Sequence, residues 1–182
     1  MSHDAPLSTL QNAVDAGDPE AMYELGNRYA YGQGTPINIR KALDLWMAAA
    51  LQDHAGALFR LGLCYSLGTC VPRDINSAID LWRKAAAGGS RDAMHMLGVC
   101  HLNGDGVPKS KPEAVMWLVL ASTNYTHEEA DSALYELNET LSDAERDEGV
   151  RLVTEWLKQH PIGTLPYLTQ SPSDKVAASA AP

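Results

Sequence analysis

The sequence contains few of the residues that form sheets or bind nucleic acids. It has one phenylalanine, and its apolar content consists mainly of alanine and leucine, a mixture that favours helices over strands. Its 14 basic residues face 23 acidic ones, and the net charge of -9 argues against a nucleic-acid partner, because phosphate binding needs clustered Lys and Arg. No window approaches the ~18 continuous apolar residues of a membrane span. We therefore predict an all-α protein that binds neither nucleic acids nor membranes.

Cysteine is also scarce, and no secretory signal is recognisable at the start. Three cysteines cannot form a complete set of disulfides, which predicts reduced thiols and a cytoplasmic location. Residues 1–6 have neither the basic start nor the apolar stretch of a signal peptide. We accordingly expect a cytoplasmic protein.

A repeat of 36 residues runs through most of the chain. Shifting the sequence by 36 aligns Leu-Gly pairs, glycines and prolines three times without a gap. Each unit contains two segments with apolar residues at helical spacing. We predict helix-turn-helix repeats at 17–52, 53–88 and 89–124, which must stack because one hairpin cannot bury both its faces. The aligned sets are Leu25-Gly26, Leu61-Gly62 and Leu97-Gly98; Gly32, Gly68 and Gly104; and Pro36, Pro72 and Pro108.

Cap residues and tryptophans define the helices within each unit. Asp18 followed by Pro19 predicts the start of the first helix. The second helix is expected to begin at an N-cap of the same register in every unit. Trp82 is predicted to fill the space left by small residues between packed helices. The three second-helix caps are Asn38, Asp74 and Ser110, and the tryptophan position holds Trp46, Trp82 and Leu118.

Helices are also predicted on both sides of the repeats. Residues 6–16 match the second helix of a unit and are expected to form an N-terminal cap. Two capping boxes, Thr126 to Glu129 and Ser142 to Glu145, predict helices at about 127–140 and 143–159, which would form a C-terminal cap over 125–160. The second of these helices is expected to bury Val150, Val153, Trp156 and Leu157.

The last segment has a different composition. Residues 161–182 are rich in Pro, Ser, Thr and Ala without periodicity, and we predict that they are disordered. Residues 1–160 are then expected to form a single domain.

The unit resembles the Sel-one-like repeat (SLR), a relative of the tetratricopeptide repeat. The resemblance covers about 17–124 and rests on Ala-x-x-x-Leu-Gly-x-x-Tyr-x-x-Gly-x-Gly, followed by Lys-Ala-x-x-x-Trp-x-x-Ala-Ala. It implies a right-handed α/α superhelix, or solenoid, that acts as an adaptor or scaffold, as is common in bacterial signalling, secretion and envelope functions. The chain departs from the pattern at Cys70, which replaces a loop glycine, at His101, which replaces a tyrosine, and at Trp117, which is one residue early.

Candidate chemistry in the chain is better explained by the repeat. The Gly-x-Gly loops follow helices, whereas a dinucleotide-binding loop follows a strand. His95, Cys100 and His101 are the nearest approach to a metal cluster, but His101 falls on the tyrosine packing position and Cys100 repeats Cys64. We therefore predict no catalytic residue, no metal and no cofactor. The family resemblance leaves a hydrolase as an alternative, because a secreted, cysteine-paired branch is linked to β-lactam hydrolysis.

The first helix of each unit carries a second face opposite its core stripe. In a hairpin solenoid this face would line the concave groove. The face is unusually apolar and aromatic, and exposed apolar patches often mark interaction sites. Further core, covered by the C-terminal helices, is the alternative. The predicted concave face consists of Tyr23, Glu24, Asn27, Phe59, Arg60, Leu63, His95, Met96 and Val99.

These observations predict a non-enzymatic adaptor that holds a segment of a partner protein in its groove. Immunity- or chaperone-like sequestration of a toxin or effector is a more specific alternative. We expect a monomer or a weak homo-oligomer. The acidic run at 127–148, with nine acids and one arginine, is interpreted as a solvated helix face, with a docking site for a basic partner as the alternative.

Overall fold

The computed structural model describes residues 6–122 and 127–160, which contain nine α-helices and no strand. The predicted tail at 161–182 lies outside these residues. None of the described helices is both long and apolar enough to cross a membrane. The helices are α1 (Leu7–Asp15), α2 (Pro19–Tyr31), α3 (Ile39–Ala50), α4 (Ala55–Leu67), α5 (Ile75–Ala87), α6 (Arg91–Asn103), α7 (Lys111–Ala121), α8 (Glu128–Asn138) and α9 (Asp143–Gln159).

Six of the helices form three hairpins that stack along the chain. α2 packs on α3, α4 on α5 and α6 on α7, and the contacts of α3 with α4 and of α5 with α6 join successive hairpins. α1 covers α2 at the N-terminal end. This succession is an α solenoid, which confirms the predicted fold class.

Capping side chains begin the helices where the sequence predicts them. The Asp18 carboxylate accepts a hydrogen bond from the Glu20 backbone N–H at 2.9 Å, and Pro19 occupies the first turn. These caps satisfy backbone donors that a helix start leaves without partners. The second helix of each unit starts in the same way, with side-chain caps from Asn38, Asp74 and Ser110.

The loop of the middle unit differs from the other two. Gly34 and Gly106 have φ of 74° and 69°, a left-handed conformation that favours glycine, whereas Asp53 is the only non-glycine residue with positive φ in the described chain. Cys70, which stands at the equivalent position, therefore has an ordinary backbone conformation. The change is local, because the Asp74 N–H still donates to the Tyr65 carbonyl at 2.9 Å, as Asn38 does to Tyr29 at 2.8 Å.

Each hairpin is closed by a large side chain packed on a glycine. A Cβ on Gly26 would lie 2.6 Å from Trp46 Nε1, and Trp82 contacts Gly62 in the same way. In the third unit Leu118 takes this place against Gly98. Gly26 and its equivalents therefore allow a close approach that any other residue would prevent.

The C-terminal helices do not form a fourth hairpin. α8 packs on α7 as α4 packs on α3, but α9 lies mainly against α7 instead of pairing with α8. The middle of α7, residues 114–118, is accordingly buried on all sides, and Met116 stands where α5 exposes Asp80. Trp117, one residue early in the repeat, packs on Trp156 of α9 with ring centroids 5.8 Å apart.

Two details of the predicted cap are wrong. Val150 is 48% exposed, not buried, because the preceding residue, Gly149, faces α7, and a Cβ there would lie 2.6 Å from Val115 Cγ1. α8 begins with His127 as its N-cap instead of Thr126, which lies outside the described residues. The Ser142 capping box is present as predicted.

Candidate partner-binding site

The nine residues of the predicted concave face lie on α2, α4 and α6, and all of them are partly exposed. Phe59, Leu63 and Met96 pack against the largest core cluster on one side. Tyr23 contacts the neighbouring cluster. The face therefore contributes to the core and to the surface at once, instead of belonging wholly to either.

A pocket of about 270 Å³ between α2 and α4 brings four of the nine residues together. They are Tyr23, Glu24, Asn27 and Arg60. The remaining lining residues are Glu20, Arg28, Tyr31 and Gln33.

The charges of this pocket are unequally matched. Glu24 pairs with Arg28 at 2.8 Å, and Glu20 lies 3.0 Å from His54 Nε2. Arg60 forms no ion pair within the described residues, and its guanidinium lies 5.4 Å from the centre of the Tyr31 ring. Arg60 Nε and Asn27 Oδ1 are both buried without a hydrogen-bond partner in the described chain.

One histidine of the second unit also contacts the first unit. His54 caps α4 through a hydrogen bond that its Nδ1 accepts from the Ala57 N–H, at 3.1 Å. Its ring also packs on Tyr23, with centroids 4.7 Å apart. A Cβ on Gly56 would lie 2.8 Å from the Tyr23 ring, so glycine makes room for this contact.

The same arrangement recurs between the third unit and the cap. His127 caps α8, lies 3.2 Å from Asp92 Oδ1, and packs on His95 with ring centroids 4.9 Å apart. Burial lowers the pKa of His95, and the neighbouring His127 lowers it further. Phe59 makes no such ring contact in the described chain, although it packs against the largest core cluster.

The three candidate metal ligands of the third unit lie in different environments. Cys100 and His101 belong to the core, whereas His95 lies on the first-helix surface. No group of three His, Cys, Asp or Glu residues that could hold a metal occurs in the part of the chain that the structure describes. Burial, assisted by Asp105, raises the pKa of Cys100 to about 11, so its thiol stays protonated at neutral pH and is a poor nucleophile.

The burial of His101 predicts that the folded protein is less stable in mild acid. Burial lowers its pKa below the ordinary value, although Glu113, 3.2 Å away without hydrogen-bond geometry, acts in the opposite direction. The unfolded chain therefore binds a proton that the folded chain resists, and stability is lost as the pH falls below about 6.5.

We expect His101→Tyr to reduce the drop in melting temperature between pH 7.5 and pH 5.5. Tyrosine occupies the same position at Tyr29 and Tyr65, so the substitution suits the fold. Thermal melts of both proteins at the two pH values make the comparison. An equal drop in the two proteins would show that His101 does not contribute to the acid sensitivity.

Sequence reasoning missed several residues of the pocket. Tyr31 is 53% exposed at the end of α2, and the 36-residue repeat places Leu67 at the same helix end. The sequence feature that could have identified Tyr31 is the recurrence of an apolar residue at this exposed helix end. His54, which lies beside the pocket and caps α4, could not be recognised from the repeat, because the equivalent cap of α6 is Ser90.

Comparison with known proteins identifies the repeat. The Sel1 repeat model matches residues 19–54, 55–90 and 91–124. A solved Sel1 repeat protein from Oxalobacter formigenes is 31% identical, with a TM-score of 0.65 over 71% of this chain and 97% of that one. A protective antigen of uropathogenic Escherichia coli strains with an SLR fold is 20% identical, with a TM-score of 0.65 over 87% of this chain and 41% of that one, which is a likeness of fold alone. The comparison with curated proteins gives no match.

The chain belongs to the Sel1-repeat family, because the three matched units cover more than half of it. Proteins built from Sel1 repeats generally mediate protein–protein interactions. Their fold is typically a non-catalytic scaffold.

Proposed function

We propose that this protein is a non-enzymatic adaptor that binds a segment of a partner protein on the first-helix surface of its repeats. The observation that carries the proposal is the row of partly exposed apolar side chains on α4 and α6, formed by Phe59, Leu63, Met96 and Val99. These residues lie on successive first helices, so an extended segment or a helix could contact several units at once.

The position of the C-terminal helices supports this proposal. α9 packs mainly against α7, a second helix, and α8 follows the row of first helices. The row on α4 and α6 is therefore left partly exposed, although Phe59, Leu63 and Met96 also pack against the core. A partner that covers Phe59 and Leu63 would remove apolar surface from water, which is the main source of affinity in such interfaces.

Charged residues at one end of the row would orient the partner. Glu24 and Arg60 stand at equivalent positions of the first two units and line the same pocket. Electrostatic complementarity of this kind contributes more to specificity and register than to affinity. A toxin or secreted effector is one form that the partner could take, which would give the protein an immunity- or chaperone-like role, and we place this encounter in the cytoplasm.

We expect Phe59→Ala to weaken binding of the partner by at least ~2 kcal/mol, the range of an interface hot spot. Phe59 belongs to the middle unit, where a ligand along the row would be most completely desolvated. The partner would first be captured from native lysate and identified by mass spectrometry. Its affinity for both proteins would then be measured by calorimetry.

The controls separate binding from folding. Phe59 also packs on the core, so the melting temperature must be measured on the same samples. Asp147→Lys reverses a charge on the exposed surface of α9 and serves as the contrast. Loss of binding in Asp147→Lys alone, with Phe59→Ala unaffected, would refute this placement and move the interface to the acidic cap.

A further inference from the structure

Two polar atoms beside the pocket between α2 and α4 lack the hydrogen bonds that buried polar atoms normally make. Asn27 Oδ1 needs a donor, and Arg60 Nε needs an acceptor. Leaving such atoms without partners destabilises the fold, because they have lost their hydrogen bonds to water. Both side chains line the pocket and are partly exposed as a whole, and a change of rotamer would be needed to bring these two buried atoms to a bound molecule. A molecule that supplies both partners would relieve this cost.

We infer that this pocket binds a carboxylate of the partner segment together with an adjacent peptide group, an inference that rests on the proposed function. Arg60 takes the carboxylate, and Asn27 Oδ1 accepts a hydrogen bond from a peptide N–H. Guanidinium groups match carboxylates with two parallel hydrogen bonds, which makes arginine the preferred partner of this group. The carboxylate belongs either to the C-terminus of the partner or to an Asp or Glu side chain.

One of the two acidic residues of the pocket is already neutralised by an ion pair. Glu24 is already paired with Arg28 at 2.8 Å, and Glu20 lies 3.0 Å from the His54 ring. Arg60 is the lining cation that has no anionic partner among the described residues. Arg60 is therefore available to pair with an anion.

Tyr31 presents Arg60 to this anion. The guanidinium lies over the tyrosine ring, at 5.4 Å from its centre, an arrangement in which the ring face stabilises the cation. The ring occupies one face of the guanidinium, whereas hydrogen bonds to a carboxylate form along its edge. Tyr31 is therefore a positioning residue for Arg60.

The inference can be tested with synthetic octapeptides of randomised sequence that carry a fluorescent label at the N-terminus. The first pool has a free C-terminal carboxylate and no Asp or Glu, the second has an amidated C-terminus and one Glu, and the third has an amidated C-terminus and no acid. We expect the first or the second pool to bind at least tenfold more tightly than the third, measured by fluorescence anisotropy. Preference for the first pool identifies a C-terminal carboxylate, and preference for the second identifies a side chain. Equal binding of all three pools overturns the inference.

Arg60→Gln should abolish the preference for the carboxylate pools while leaving the binding of the third pool unchanged. Arg83→Gln removes the same charge from the exposed surface of α5 and is the matched control, expected to keep the preference. Melting temperatures of both variants verify that they are folded. A preference retained in Arg60→Gln overturns the inference.

The same variants distinguish this inference from the proposed function. If Phe59→Ala weakens capture of the natural partner and Arg60→Gln does not, the adaptor function stands and the carboxylate site falls. If neither variant affects capture, both proposals fall.

Discussion

Replacing Trp82 with alanine is expected to lower the free energy of unfolding by about 3–5 kcal/mol, the usual cost of removing a large aromatic side chain from a core. Trp82 is 0% exposed, packs on Gly62, and donates a hydrogen bond from Nε1 to the Phe59 carbonyl at 3.4 Å. Gly62 cannot move to fill the cavity, because it belongs to a helix that is fixed on both sides. Urea unfolding followed by circular dichroism measures the change.

Leu51→Ala is the matched control for this variant. Leu51 is a large apolar residue at the end of α3, and it is 88% exposed, so its truncation should change stability by no more than ~0.5 kcal/mol. A similar cost for the two variants would contradict the packing described for Trp82.

Truncating the chain after residue 122 is expected to prevent stable folding of the repeats. The truncation removes α8 and α9, and with them the cover of α7 at Val115, Met116 and Trp117, which are all buried. Burial of three such side chains contributes on the order of 5 kcal/mol, comparable with the whole stability of a small domain. Size-exclusion chromatography and circular dichroism of the purified fragment should show aggregation or loss of helix.

Truncation after residue 160 is the comparison, since it retains both capping helices. We expect this shorter chain to melt within a few degrees of the full chain, because the composition of 161–182 does not predict a packed segment. A monomeric, fully helical fragment 1–122 would show that the three repeats are stable without their cap.

The repeat made most of the fold predictable from the sequence. Leu25-Gly26 and its two equivalents set the register, and caps such as Asp18 and Asn38 placed the helix starts. These signals are local, because a cap acts within one turn and a packing stripe within one helix. Their recurrence at a spacing of 36 removed the ambiguity that a single instance would have.

The C-terminal cap was less predictable, because it has no repeat to compare. The apolar pattern of α9 favours burial of Val150, yet the helix turns Gly149 toward α7, where the close approach requires the smallest residue. Met116 in place of Asp80 was the signal that α7 would be covered from outside. Trp117, a departure from the repeat pattern, forms part of that cover with Trp156.

The candidate site was predictable as a face but not as a pocket. Helical spacing placed Tyr23, Asn27 and Arg60 on equivalent surfaces. Their convergence depends on the angle between α2 and α4, which no single helix encodes. The ring contacts of His54 with Tyr23 and of His127 with His95 also join separate units, so only the assembled stack reveals them.

The apolar residues around α7 also determine which unit can stand last in the stack. α5 exposes Asp80, Arg83 and Lys84 on its outer side and can be followed by another hairpin without loss. α7 has Met116, Val119 and Leu120 at those three places and requires α9 instead. We therefore expect that units can be inserted or removed ahead of α7 without loss of the fold, whereas the third unit and its cap must be kept together.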